Sequence, residues 1–216
     1  METYKRLFLY FLGLFIMTVG IAFSIKSDLG VSPVSTIPYT LTVVWGIEIG
    51  IATIIFHCAL VALQVLLLRS DFDLRDLLQI PVGIIFGYFT SFSVGLMNFI
   101  PSSNSLVISL IYMAISIVLI AFGIFLYVPP KMINLAGEGA MLAISGVTDI
   151  EFSKVKIAFD VSMVLISFLT CMTMIHSLGS VGIGTVISAV FVGTVLKCII
   201  RIFEYFKSYN PIADGF

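Results

Sequence analysis

Charge is scarce in this sequence. Asp, Glu, Lys and Arg supply 11% of 216 residues, against roughly a quarter in soluble domains. The formal net charge is −1, so no nucleic-acid partner is expected. Cysteine is nearly missing as well. Cys58, Cys171 and Cys198 fall in apolar runs and match neither a zinc-ligand nor a CxxC spacing, so buried thiols are expected and no metal site. No hydrolase, kinase, metalloprotease or redox motif is present. The glycines of Gly179-Ser180-Val181-Gly182-Ile183-Gly184 have no strand before them and no Lys after them, which excludes a phosphate loop. Neither enzyme activity nor a cofactor is expected.

What fills the sequence instead is hydrocarbon. Hydrophobic residues make up 60% and the mean hydropathy is +1.17, the profile of an integral membrane protein in a single membrane domain, 1–216. Six runs, about 7–25, 50–68, 77–97, 106–128, 156–175 and 184–203, approach the ~20 residues a transmembrane helix needs. Lys5-Arg6 precedes the first run, which is read as a retained helix because it is too long for a signal peptide. Two further segments are helix-compatible but too short to cross. One spans 33–45, where Ser32 is the expected N-cap, Pro33 the first helical residue and Pro38 an expected bend. The other spans about 135–145, after the Pro129-Pro130 break, with Asn134 as the expected cap.

The basic residues choose between topologies. If both short segments re-enter on the side they came from, Lys5, Arg6, Arg69, Arg75, Lys131, Lys154, Lys156, Lys197, Arg201 and Lys207 share the cytoplasmic side with both termini, and only Lys26 lies outside. The expected fold is therefore all-α and polytopic: six transmembrane helices plus two re-entrant half-helices. An offset of 103 residues carries Gly20-Ile21 onto Gly123-Ile124, Glu48 onto Glu151 and His57 onto Asp160. An offset of 106 carries Gly83 and Gly87 onto Ala189 and Gly193. Two repeats, about 1–100 and 101–216, with three crossings each, must be inverted relative to one another.

Candidate site residues follow from that symmetry. Irregular chain leads into each short helix, so the two N-termini, with free N–H groups and positive dipole ends, are expected to meet near the bilayer midplane. Asp160 lies roughly 12 Å past its helix entry and is expected to face inward, with His57 at similar depth as its prospective partner. The alternative is a purely structural bond between those helices. Glu138 stands in the first turn of the second short helix between Gly137 and Gly139, which admit close approach by a ligand or backbone. Ser32, Ser35, Thr36 and Tyr39 occupy the matching place in the first half, and Asn134 the entry to the second.

Leu29-Gly30-Val31-Ser32-Pro33, Asn134-Leu135-Ala136-Gly137-Glu138-Gly139 and Gly182-Ile183-Gly184-Thr185-Val186-Ile187-Ser188-Ala189 resemble the YczE/YitT-like bacterial membrane proteins along essentially the whole chain. The resemblance implies a bacterial inner-membrane protein and little about activity. The function expected is secondary transport of a small anionic or zwitterionic solute, with proton coupling admitted. The competing readings are a non-transporting subunit or scaffold for a partner protein, and a lipid-handling or channel protein. The lipid bilayer and a small solute are the expected partners, and a homo-oligomer is left open.

Overall fold

The computed structural model describes residues 3–102, 105–130 and 132–209, and every regular element among them is helical. Eight α-helices follow in order: α1 Thr3–Ser27, α2 Pro33–Trp45, α3 Ile49–Leu68, α4 Gln79–Leu96, α5 Leu106–Tyr127, α6 Ala136–Thr148, α7 Phe152–Met174 and α8 Ile183–Tyr209. Six of these, all but α2 and α6, are long and apolar enough to cross a membrane. Large apolar side chains such as Leu66, Phe92 and Phe99 are exposed along them. A surface of that kind suits lipid and not water.

Local chemistry sets the helix ends. α2 opens at Pro33, where a missing N–H costs nothing, and closes at Gly46, whose left-handed backbone returns an N–H to the Thr42 carbonyl. Pro38 lies inside α2 without ending it, but cannot donate to the Val34 carbonyl. Glu48 caps α3, its Oε2 accepting the Ile51 N–H at 3.0 Å. Two 3₁₀ turns, Arg69–Asp71 and Leu74–Leu78, join α3 to α4.

Several expectations need correction. Leu135, not Asn134, is the N-cap of α6, and Asn134 is exposed. α7 begins at Phe152, a turn earlier than expected, with Glu151 at the N-cap position and no side-chain cap. Cys58 and Cys198 are exposed on outer helix faces and only Cys171 is buried, since lipid offers a thiol the same apolar setting as a core. Lys131 and the side chain of Lys207, used in the expected charge count, lie outside the described residues.

The packing has an internal pattern. α1 crosses α5 along much of its length. A Cβ on Gly20 would stand 2.8 Å from Ile120 Cγ1 and 3.0 Å from the Ser116 carbonyl oxygen. On the facing helix, a Cβ on Gly123 would strike Met17 and stand 2.7 Å from the Gly13 carbonyl oxygen. Outside this pair, α4 packs on α1 and α8 on α5, while α6 packs on α3 and α2 on α7. One apolar cluster joins α3, α6 and α7 through Phe56, Leu60, Ala140 and Phe159. Another joins α1, α4 and α5 through Tyr10, Phe86, Ile120 and Tyr127.

Candidate functional site

The first turns of the two short helices come close together. A Cβ on Gly137 would lie 3.6 Å from Val34 Cγ1, with no other heavy atom from beyond its own helix backbone and chain neighbours within 4 Å. Neither Ser32 nor Leu135 gives its helix a side-chain cap. Two positive dipole ends thus approach one locus without a serine or asparagine quenching them.

Around the start of α6, polar groups gather from five helices. The Tyr10 hydroxyl of α1 donates to the Ile133 carbonyl at 2.7 Å, holding the irregular chain ahead of the helix. The Tyr127 ring of α5 stands 6.0 Å from the Tyr10 ring, edge to face. Its hydroxyl is buried without a well-formed hydrogen bond and lies beside the Glu138 carboxyl. Gln64 of α3 and Gln79 of α4, each 1% exposed, form a reciprocal amide pair. Gln64 Nε2 donates to Gln79 Oε1 at 2.9 Å, and Gln79 Nε2 donates back to Gln64 Oε1 at 3.1 Å. Gln64 Nε2 also reaches the Ala136 carbonyl at 3.2 Å, so the pair pins the first turn of α6. Gly139 makes room for it: a Cβ there would sit 2.6 Å from Gln64 Oε1 and 2.7 Å from both polar atoms of the Gln79 amide.

Charge enters from α7. Lys156 Nζ donates to Asp160 Oδ2 at 2.7 Å, one helical turn apart, and the same ammonium lies within Coulombic reach of Glu138. The other Asp160 oxygen is buried and has no hydrogen-bond partner. It offers an acceptor to whatever occupies the neighbouring space.

His57 is elsewhere. Its ring stacks on Phe86 at 5.5 Å and 21°, and its Cβ and Nδ1 lie against Gly83. It belongs to the contact between α3 and α4, and among the described residues no hydrogen bond joins it to Asp160, whose partner is Lys156. In the first half, the Ser32 and Ser35 hydroxyls bond one another at 3.0 Å. The Thr36 hydroxyl is spent on the Pro33 carbonyl at 2.7 Å, and Tyr39 is half-buried near Asp28. Gly137 and Gly139 border the site by contact, Glu138 by charge, and Asn134 points away from the buried groups.

Tyr10, Gln64, Gln79 and Tyr127 carry no charge and are not among the expected site residues, and Lys156 was expected only as a cytoplasmic charge. Gln64 and Gln79 did carry a signal: they are amides inside apolar runs, on either side of a connector that returns the chain. Lys156 stands four residues before Asp160, an ordinary helical ion-pair spacing.

Fold and site together describe an all-helical polytopic protein with a polar cluster inside an apolar bundle. The chain belongs to DUF6198, a family of unknown function, whose model matches residues 4–201. It is also similar to the "Uncharacterized protein YyaS" of Bacillus subtilis (strain 168), 27% identical over 206 residues that cover 93% of this chain and 96% of the relative. Neither match bears the YczE/YitT name that the motifs resemble, so the family is stated as DUF6198. No solved structure matches the chain.

Proposed function

We propose that the protein is a secondary transporter of a small anionic or zwitterionic solute, built from two inverted repeats whose re-entrant half-helices, α2 and α6, meet at the solute site. The observation that carries this reading is the contact of Val34 with Gly137. These residues are equivalent under the 103-residue offset, and each lies in the first turn of its short helix. The repeat reading draws support from the packing. Gly20 on Ile120 and Gly123 on Met17 are one contact exchanged between halves, as are α4 on α1 with α8 on α5, and α6 on α3 with α2 on α7. Each half then contributes three crossings, and irregular chain is tolerated at membrane depth only when protein or a polar cavity encloses it.

At the meeting point the two helix ends attract a carboxylate or other anion. Glu138 and Asp160 repel it unless protonated, and Lys156 offsets only one of them. A proton carried by Glu138, or an amine on the solute, resolves the conflict. The Tyr127 hydroxyl beside Glu138 is placed to donate to its ionised form.

The test is thermal stabilisation of the purified protein against a panel of small carboxylates and amino acids, repeated with Glu138→Gln and Asp160→Asn. We expect a solute that raises the unfolding temperature of the wild type and does so less in both variants. A folded protein that no panel member shifts at any pH from 5 to 8 would refute the reading.

A further inference from the structure

The larger helix contacts recur between the two halves with one exception. α3 packs extensively on α4, whereas among the described residues their counterparts α7 and α8 make at most a slight contact. The α3–α4 contact is intimate because α4 presents glycine. A Cβ on Gly87 would stand 2.6 Å from the Gly50 carbonyl oxygen, and one on Gly83 would stand 2.9 Å from His57 Nδ1. At the far end of this contact, Ser91 lies beside the Glu48 carboxylate.

The offsets carry each of these groups into the second half. Gly83 and Gly87 become Ala189 and Gly193, Gly50 becomes Ser153, His57 becomes Asp160, Glu48 becomes Glu151 and Ser91 becomes Lys197. There the surfaces stand apart. Ala189, Gly193, Ser153, Glu151 and Lys197 are all exposed, and a Cβ on Gly193 would meet nothing within 4 Å. The helices stay joined where the chain turns, where the Cys171 thiol is 3.9 Å from the Ser180 hydroxyl. The gap therefore opens toward the Glu151 and Lys197 end. In the orientation the basic residues favour, that end is cytoplasmic, and Lys156 and Asp160 lie on the helix that borders it.

We propose that the structure is one of two exchangeable states, and that in the other α7 closes on the Ala189–Gly193 face of α8 with Glu151 beside Lys197, while α3 parts from α4. The physical ground is economy. Two halves with the same order of elements in inverted orientation have two mirror-related ways of packing, differing in which pair is closed. A small-residue face opposite a helix of matching length is what a close helix contact in lipid requires. Glu151 and Lys197 add opposite charges at the mouth, where Glu48 and Ser91 stand in the closed half. This inference rests on the two-repeat reading above and gives the solute site its exit.

The test uses the unmodified full chain in lipid bilayers. A zero-length carbodiimide joins a carboxylate to an amine only when the two touch, and mass spectrometry identifies the linked peptides. The Lys156–Asp160 pair, at 2.7 Å, serves as the internal positive control. We expect a Glu151–Lys197 link within the monomer. We also expect an oxidised Glu48→Cys/Ser91→Cys disulfide to abolish it and reduction to restore it. A Lys156–Asp160 link without any Glu151–Lys197 link overturns the proposal. So does a Glu151–Lys197 link found only between two copies, which would make this face of α8 a dimer contact. An undiminished link in the oxidised variant overturns the exchange. The wild-type result decides even if the double variant does not fold. A link that forms and responds to the lock, in a protein that no solute stabilises, supports the exchange while removing the transport reading.

Discussion

Gly137 and Gly139 are neighbours in one helical turn, yet the structure gives them opposite tolerances. At Gly139 an added methyl meets the Gln64–Gln79 amides from 2.6 Å, and both amides are buried and bonded to one another. Moving them breaks hydrogen bonds in a dry setting. Gly139→Ala should therefore lower stability by about 1–3 kcal/mol, the usual range for overpacking. At Gly137 the methyl would rest 3.6 Å from Val34, an ordinary contact. Gly137→Ala should be neutral, or stabilising by up to ~1 kcal/mol from helix propensity. Thermal unfolding of the two variants in one detergent checks the contrast, and equal melting temperatures would contradict it. At this scale the sequence was half legible. Glu138 and its flanking glycines pointed to the right turn of chain, because an acid in an apolar protein is conspicuous. Asp160 was conspicuous too, but its partner was not. One of its oxygens takes a lysine four residues away, a partner supplied within the same helix, while the other oxygen stays without a hydrogen bond.

Among the elements, the contact between α3 and α4 has a titratable end. Burial raises the Glu48 carboxyl, but hydrogen bonds from Ser91 and from the Gly50 and Ile51 backbone N–H groups outweigh it, and the net position is below the ordinary Glu range. The folded value is thus lower than the unfolded value of about 4.3. Such a group contributes stability above the unfolded pKa and loses it as pH falls through the folded one. Between pH 6 and pH 3 the wild type should lose more thermal stability than Glu48→Gln, and the two should converge at the acid end. A constant difference across that range would show that the carboxylate does not hold the contact. The elements themselves were read well from hydropathy. Six long helices and two short ones follow from run length, proline and glycine. The shifted start of α7 and the cap of α6 were not legible, because neither helix start carries a side-chain cap, and Asn134, a competent cap by composition, lies one residue ahead of the position the chain path uses.

For the molecule as a whole, the orientation remains the proposal most easily checked. If both short helices re-enter, a cysteine at Lys26 should react with an impermeant thiol reagent from outside intact cells, and one at Arg75 only after the cells are opened. Both positions labelled from outside would mean that α2 crosses the membrane fully and does not re-enter, whereas Lys26 labelled only from inside with Arg75 labelled from outside would reverse the topology. Sequence by itself determined that this chain enters a membrane, how many helices can cross it, and where two of them fall short. Those properties depend on the run of hydrocarbon and on residues that break a helix, and both are local. Only the tertiary structure decided which polar groups meet. Tyr10, Gln64, Gln79, Tyr127 and Glu138 are scattered over five helices, and their meeting depends on glycine contacts whose partners are far away in the chain. It also decided that α4 packs closely on α3, a contact that depends on Gly83 and Gly87 meeting partners about 25 to 40 residues earlier in the chain.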